Sequence, residues 1–183
     1  IQQAAGLNGN RYATFHQLGK EQAQKLHEDD RLYDVGDTIF IGSTPLGNSS
    51  LSLYLREYHD NALSMYPAIG NVKEGRLPEE AIEIALSEDA LQYLGLDAVI
   101  GDTVSLDLSV SVMDGSLSEL EYSADFVLTG ILESSYIGYA SGTVEGIVGE
   151  GTAEELLPEE YLLYSTDFKT YDKQNFQSII YAL

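Results

Sequence analysis

Residues 74–108 read EGRLPEEAIEIALSEDALQYLGLDAVIGDTVSLDL. The stretch holds no nucleophile, no metal ligands at a workable spacing and no phosphate loop, yet it is closely specified in shape. AIEIAL predicts a strand. Ser87 stands where a helix N-cap belongs, and Glu88 and Asp89 fill the first turn, where the helix dipole favours carboxylates. Ala90, Leu91 and Leu94 supply a small apolar face, and Gly95 is a natural stop just past the helix end. Gly101 and Asp102 turn the chain into TVSLDLSVSV. There Val104, Leu106, Leu108, Val110 and Val112 alternate with Ser105, Asp107, Ser109 and Ser111, the pattern of a strand buried on one side. MDGS predicts a hairpin turn, and LEYSADFVLTGIL carries the return strand.

Working outward, RYATFHQL (residues 11–18) predicts a strand. GKEQAQKLHEDD predicts a helix with Ala23 and Leu26 on one face, and RLYDVGDTIFIGS a second strand around Ile39, Phe40 and Ile41. The first 43 residues therefore suggest a β-α-β unit. After the turn TPLGNSS, LSLYLREY places Leu51, Leu53 and Leu55 on one face and Ser52, Tyr54 and Arg56 on the other. SSYIGYASGTVEGIVGEG (134–151) is Gly-rich with little periodicity and is expected to be a long loop. LPEEYLLYSTDF is expected to be a strand after a proline start. YDKQNFQSIIYAL closes the chain with Phe176, Ile179, Ile180 and Leu183 at helical spacing and Asp172 as a cap. LPEE occurs at 77–80 and 157–160 with unlike flanks, so it marks two proline-started boundaries rather than a repeat. The fold class expected is α+β.

Composition narrows function mainly by exclusion. The 183 residues carry 30 Asp and Glu against 9 Lys and Arg, a net charge of −21. Such a surface repels phosphate backbones and anionic headgroups, so nucleic-acid binding is excluded as a role. No cysteine is present, which removes disulfides, thiolate zinc sites and Cys nucleophiles. No apolar run approaches the roughly 20 residues of a membrane span. The chain opens on IQQAAGLNGN, without Met or a charged-then-apolar leader, and reads as a piece of something longer.

Chemistry is equally sparse. His16, His27 and His59 are scattered and form neither HxH nor HExxH. No G-x-S-x-G elbow is present. Thirty acids allow a carboxylate pair anywhere on paper, and tryptophan for sugar stacking is absent. Gly149-Glu150-Gly151 starts like a dinucleotide fingerprint but lacks its third glycine and follows no convincing strand. Glu28-Asp29-Asp30 reads as a solvated helix end, and Asn48-Ser49-Ser50 as a chance glycosylation sequon. The expectation is no catalytic residue, no cofactor and no metal.

The combination Gly75-Arg76-Leu77-Pro78, Glu83-Ile84, Leu86-Ser87-Glu88, Leu94-Gly95-Leu96 and Gly101-Asp102-Thr103-Val104, followed by residues 127–132, resembles the extracytoplasmic core of MacB/FtsX-type ABC transporter permeases. The resemblance spans about 60 residues; Ala98-Val99-Ile100 is an insertion before Gly101. It implies a domain between the first and second transmembrane helices, on the outer side of a bacterial cell membrane. It implies two lobes: a porter-like lobe from residues 1–69 plus 158–183, and a smaller strand-rich (Sabre-like) lobe with one short helix from 70–157. Each chain end would then lead toward a membrane helix, although the family continues with a further strand where this chain stops. The implied partners are a cognate ATPase subunit, reached through the membrane part, a second permease subunit, and an extracytoplasmic protein, peptide or lipid substrate. On this reading Gly75, Arg76, Pro78, Ser87, Gly95, Gly101 and Asp102 shape the chain. Contacts are expected at Tyr54, Tyr58, Tyr136 and Tyr139, and along the 136–151 loop. The rival reading is a free-standing secreted binding or adhesion module; an enzyme comes third.

Overall fold

Antiparallel pairing of the strand Tyr164–Thr170 with both Tyr12–Leu18 and Leu32–Pro45 fixes one end of the molecule. The structure, a computed structural model, describes residues 12–60, 62–66, 69–113, 117–134 and 141–170. Its strands are β1 (Tyr12–Leu18), β2 (Leu32–Pro45), β3 (Ser52–Tyr58), β4 (Val72–Gly75), β5 (Glu83–Ser87), β6 (Thr103–Met113), β7 (Leu117–Leu132), β8 (Thr143–Val148) and β9 (Tyr164–Thr170). The helices are α1 (Lys20–His27), α2 (Glu88–Tyr93) and α3 (Thr152–Leu156). With β9 between them, β1 and β2 run parallel, and α1 makes the crossover that parallel strands require. Leu26 of α1 packs with Ala13, Leu32 and Phe168, and Ala23 joins the larger core. The architecture is mixed α+β, as expected, and it is rich in strand.

The other strands return on themselves. β2 pairs with β3, β3 with β8, β8 with β5, β5 with β7, β7 with β6, and β6 again with β2. Six strands thus form a closed ring, and closure removes the sheet edges that would otherwise stand unpaired. The ring fills with alternating inward side chains, among them Leu53, Leu55, Leu86, Leu106, Phe126 and Val144, all in one buried cluster. Each such fully buried side chain contributes roughly 2 kcal/mol. Residues on both sides of position 69 form this ring, and Tyr164, beyond position 157, joins its core.

The β6–β2 seam is the thin place, a single bridge between Ser43 and Ser109. The Tyr122 hydroxyl reinforces it from β7 by donating to the Ile41 carbonyl. Burial pushes that phenol's pKa above its ordinary value.

Two sequence expectations change, and two short elements were not foreseen. Within the expected 134–151 loop, Thr143–Val148 forms β8, a ring strand between β3 and β5. Gly146 breaks its apolar alternation because a Cβ there would sit 2.6 Å from Leu55 and 2.9 Å from Leu86, so packing demanded the glycine. The expected strand at 157–168 begins only at Tyr164, because Pro158 opens a 3-10 turn over Glu159–Tyr161. Two short elements, β4 and α3, carry too few residues for periodicity to show. The helix expected at 171–183 and the turn residues 114–116 lie outside the described residues.

The close crossing of residues 79–83 over the end of β8 yields a prediction. A Cβ on Gly149 would fall 1.8 Å from the Glu80 carbonyl oxygen, against backbone that cannot swing away. At Gly95 (φ 71°) nothing lies within 4 Å, so alanine meets only left-handed strain. Gly149→Ala is expected to lower stability by about 3 kcal/mol or more and Gly95→Ala by about 1 kcal/mol. Urea unfolding of both variants checks the ranking, and equal losses would contradict it.

Candidate functional site

The conspicuous motif, Gly75 to Asp102, is held by hydrogen bonds within the chain. Arg76 grips Glu83 in two places, Nη1 to Oε1 at 3.0 Å and Nη2 to Oε2 at 2.6 Å. Glu83 Oε1 also accepts the backbone N–H groups of Glu79 and Glu80, each at 2.9 Å. The backbone of Arg76 docks on β7, its N–H donating to the Thr129 carbonyl at 2.9 Å. Pro78 lies half-buried in the irregular link that follows. Ser87 Oγ accepts the Ala90 N–H at 3.2 Å and so caps α2. Gly75, Gly95 and Gly101 all take positive φ, at 75°, 71° and 98°. Asp102 Oδ2 accepts the Val99 N–H at 3.0 Å, and Gly101 N–H and the Asp102 carbonyl both bond Leu128. Glu83 is therefore acidified: the Arg76 hydrogen bonds, with the two backbone donors, bring its pKa from 4.5 to about 2.

A cleft of about 650 Å³ lies elsewhere, on the outward face of β1, β9, β2 and β3. The period-2 pattern of β3 builds it: Leu53, Leu55 and Glu57 point inward, so Tyr54, Arg56 and Tyr58 point out. Arg56 pairs with Glu145 of β8, and its guanidinium stands 5.5 Å from the Phe40 ring and 5.6 Å from the Tyr54 ring. Tyr58, Tyr66, Ile69, Val110 and Tyr161 supply further walls. Burial, then the Glu145 carboxylate, pushes the Tyr58 phenol well above its ordinary range, so it is a neutral hydrogen-bonding group. On the floor, buried Asp167 accepts from Thr14 and, at 3.0 Å, from Tyr66. His16 Nδ1 lies 3.1 Å from Ser165 Oγ. Aromatic rings, hydroxyls, the Arg56 guanidinium and the carboxylates of Glu145 and Asp167 make a surface suited to gripping a ligand or partner.

Of the expected contact residues, Tyr58 lines this cleft and Tyr54 flanks it. Tyr136 and Tyr139 lie outside the described residues. Asp29 of the acidic run is gripped by the Arg31 guanidinium at 2.9 and 2.6 Å. Gly149-Glu150-Gly151 does follow a strand, β8, but leads into only the five residues of α3.

Sequence reading missed a cluster at the far end of β2 and β3. Glu57, 1% exposed, accepts the Ala153 N–H at 2.8 Å and contacts His59. His59 is raised above 6.5, chiefly by that hydrogen bond. Beside it, Asp37 Oδ1 accepts from Thr166 at 2.7 Å while Oδ2 meets His27 Nε2 at 2.9 Å. One signal was present: carrying the Leu53, Leu55 alternation forward two residues puts Glu57 inside.

No protein-family model matches the chain, and no curated protein is similar to it in sequence. Solved structures are similar in fold. One is the extracellular domain of the noncanonic ABC-type transporter YknZ from Gram-positive bacteria, at 11% identity and a TM-score of 0.56, covering 91% of this chain and 88% of that one. Another is the periplasmic region of MacB from Actinobacillus actinomycetemcomitans, at 14% identity and a TM-score of 0.54, covering 97% of this chain and 85% of that one.

The acidified carboxylate gives a pH prediction. A folded-state pKa below the unfolded one means that Glu83 stabilises the fold fully above about pH 4.5, and that this contribution fades as pH falls toward about 2. Glu83→Gln is expected to cost about 1–2 kcal/mol at neutral pH. The gap from the parent protein should narrow by pH 3 in denaturant titrations; a pH-independent gap would contradict the charge-pair account.

Proposed function

We propose that this chain is the extracytoplasmic domain of an ABC transporter permease of the MacB/FtsX type, working without chemistry of its own. The observation that carries the proposal is the agreement of the whole fold with two such domains over more than nine-tenths of this chain. The 60-residue motif, whose residues 75–102 bind one another, supports it independently. ATP would be hydrolysed by a cognate ATPase subunit, and motion would reach this domain through the membrane part and a second permease subunit. On this reading the domain sits outside the membrane and grips or gates an extracytoplasmic protein, peptide or lipid substrate. The split β-α-β end (residues 1–69 with 158–183) is the porter-like lobe and residues 70–157 the smaller one.

The contact surface on this proposal is the cleft face with Tyr54, Arg56 and Tyr58, together with the segment 136–151. In membranes carrying the parent permease and its ATPase, Tyr54→Ala with Tyr58→Ala is expected to cut substrate movement at least about tenfold. Basal ATP hydrolysis and assembly should persist. Unimpaired movement would reject this surface as the contact face, and ATP hydrolysis by a purified parent chain lacking the ATPase subunit would reject the non-catalytic role.

A further inference from the structure

We propose that His27, Asp37 and Asp60 form a site for one divalent metal ion of zinc-like character. One nitrogen of His27 and one oxygen from each aspartate lie within 4.8 Å of one another. The two nitrogens of His27 face different aspartates, Nε2 toward Asp37 Oδ2 at 2.9 Å and Nδ1 toward Asp60 Oδ2 at 3.9 Å, so one ion held by a single nitrogen requires the Asp60 carboxylate to swing toward it. Three separate elements deliver the ligands: the last turn of α1, the middle of β2, and the turn after β3. Thr166 donates to the second oxygen of Asp37, the kind of outer hydrogen bond that fixes the direction of a ligating carboxylate. One imidazole and two carboxylates suit zinc, with a water completing the tetrahedron, better than calcium, which takes about 6–8 oxygens. Metal–ligand bonds of about 2.0–2.2 Å draw the three groups closer, and Asp60, with a side chain 61% exposed, has room to move inward.

Charge supplies the independent observation. Asp37 is 9% exposed and Glu57 only 1%. Among the described residues, no Lys or Arg pairs with Asp37, Asp60, Glu57 or Glu150; their ionic neighbours are His27 and His59. Other carboxylates in the molecule do find a permanent cation, as Asp29, Glu83, Glu88 and Glu145 show. Carboxylates taken out of water need a compensating positive charge, and a divalent ion brings more of it than one imidazole. The outer face of the β6–β7 hairpin makes the contrast: Asp107 and Glu121 are equally unpaired with Lys or Arg among the described residues and both are exposed, whereas the exposed Asp60 shares its imidazole with the buried Asp37. The site is independent of the permease reading, and its occupation would pin α1 to the end of the sheet.

Calorimetric titration of ZnCl₂ into the chelator-stripped 183-residue chain, at about pH 7.5 and about 0.15 M salt, tests the site. The expected result is one Zn²⁺ per chain. Asp60→Asn and His27→Gln should each weaken binding at least about tenfold, while Asp107→Asn leaves it unchanged. Thermal unfolding should move up with Zn²⁺ in the parent protein and far less in the two variants. Asp60 is exposed, so its variant retains the fold even if the His27 variant does not. No saturable binding, or several weak sites indifferent to both substitutions, would overturn the proposal.

Discussion

The ion pair between Arg76 and Glu83 organises much of the rest. A single carboxylate there receives a two-pronged guanidinium and two backbone N–H groups, converting the link from β4 to β5 into a rigid brace. Bidentate arginine–carboxylate contacts are among the stronger and more directional hydrogen bonds available to a protein. The brace lies across the backbone of β7 at Thr129 and across Gly149 at the end of β8, so it spans neighbouring strands of the closed ring. A pair half in solvent contributes only modestly as a charge interaction. Its weight lies in geometry: it sets where β5 enters the ring, and so where the apolar residues of β5 meet those of β7 and β8.

Function and shape divide cleanly on this frame. The motif that draws attention in the sequence is occupied with its own backbone, whereas the surface with gripping chemistry lies on the outward face of β3. On the permease proposal, a domain that transmits force has reason to be built so. Stiffness comes from ring closure and from the brace. The proposed contact face, Phe40, Tyr54, Arg56 and Tyr58, rests on strands whose opposite side is core. The net charge of the chain is strongly negative, and Arg56 is the guanidinium that lines the cleft, itself partly neutralised by Glu145.

The sequence showed most where local rules suffice. Ser87 as a cap, Gly95 as a stop, the alternation through β6 and the β-α-β opening all follow from backbone preferences and side-chain period. It failed where long-range packing overrode those signals. Gly146 made β8 look like loop because its missing side chain is used by Leu55 and Leu86, which come from other strands. β9 inserts between β1 and β2 from the far end of the chain, a pairing no local pattern records. The buried carboxylates Asp37 and Glu57 lay among so many acids that only their inward register distinguished them. The His27 trio brings together positions 10 and 33 residues apart, far from the spacing of any compact ligand motif.

The central claim is that this domain belongs to a membrane permease. Its most direct test is the parent reading frame, scanned on both flanks with a window of about 19 residues for apolar spans. The account predicts one membrane-spanning helix just ahead of Ile1 and three clustered beyond Leu183, with an ATPase encoded in the same chain or beside it. An export signal in front, with a stop or a surface anchor behind and no further spans, would contradict it and make a secreted binding module the working description.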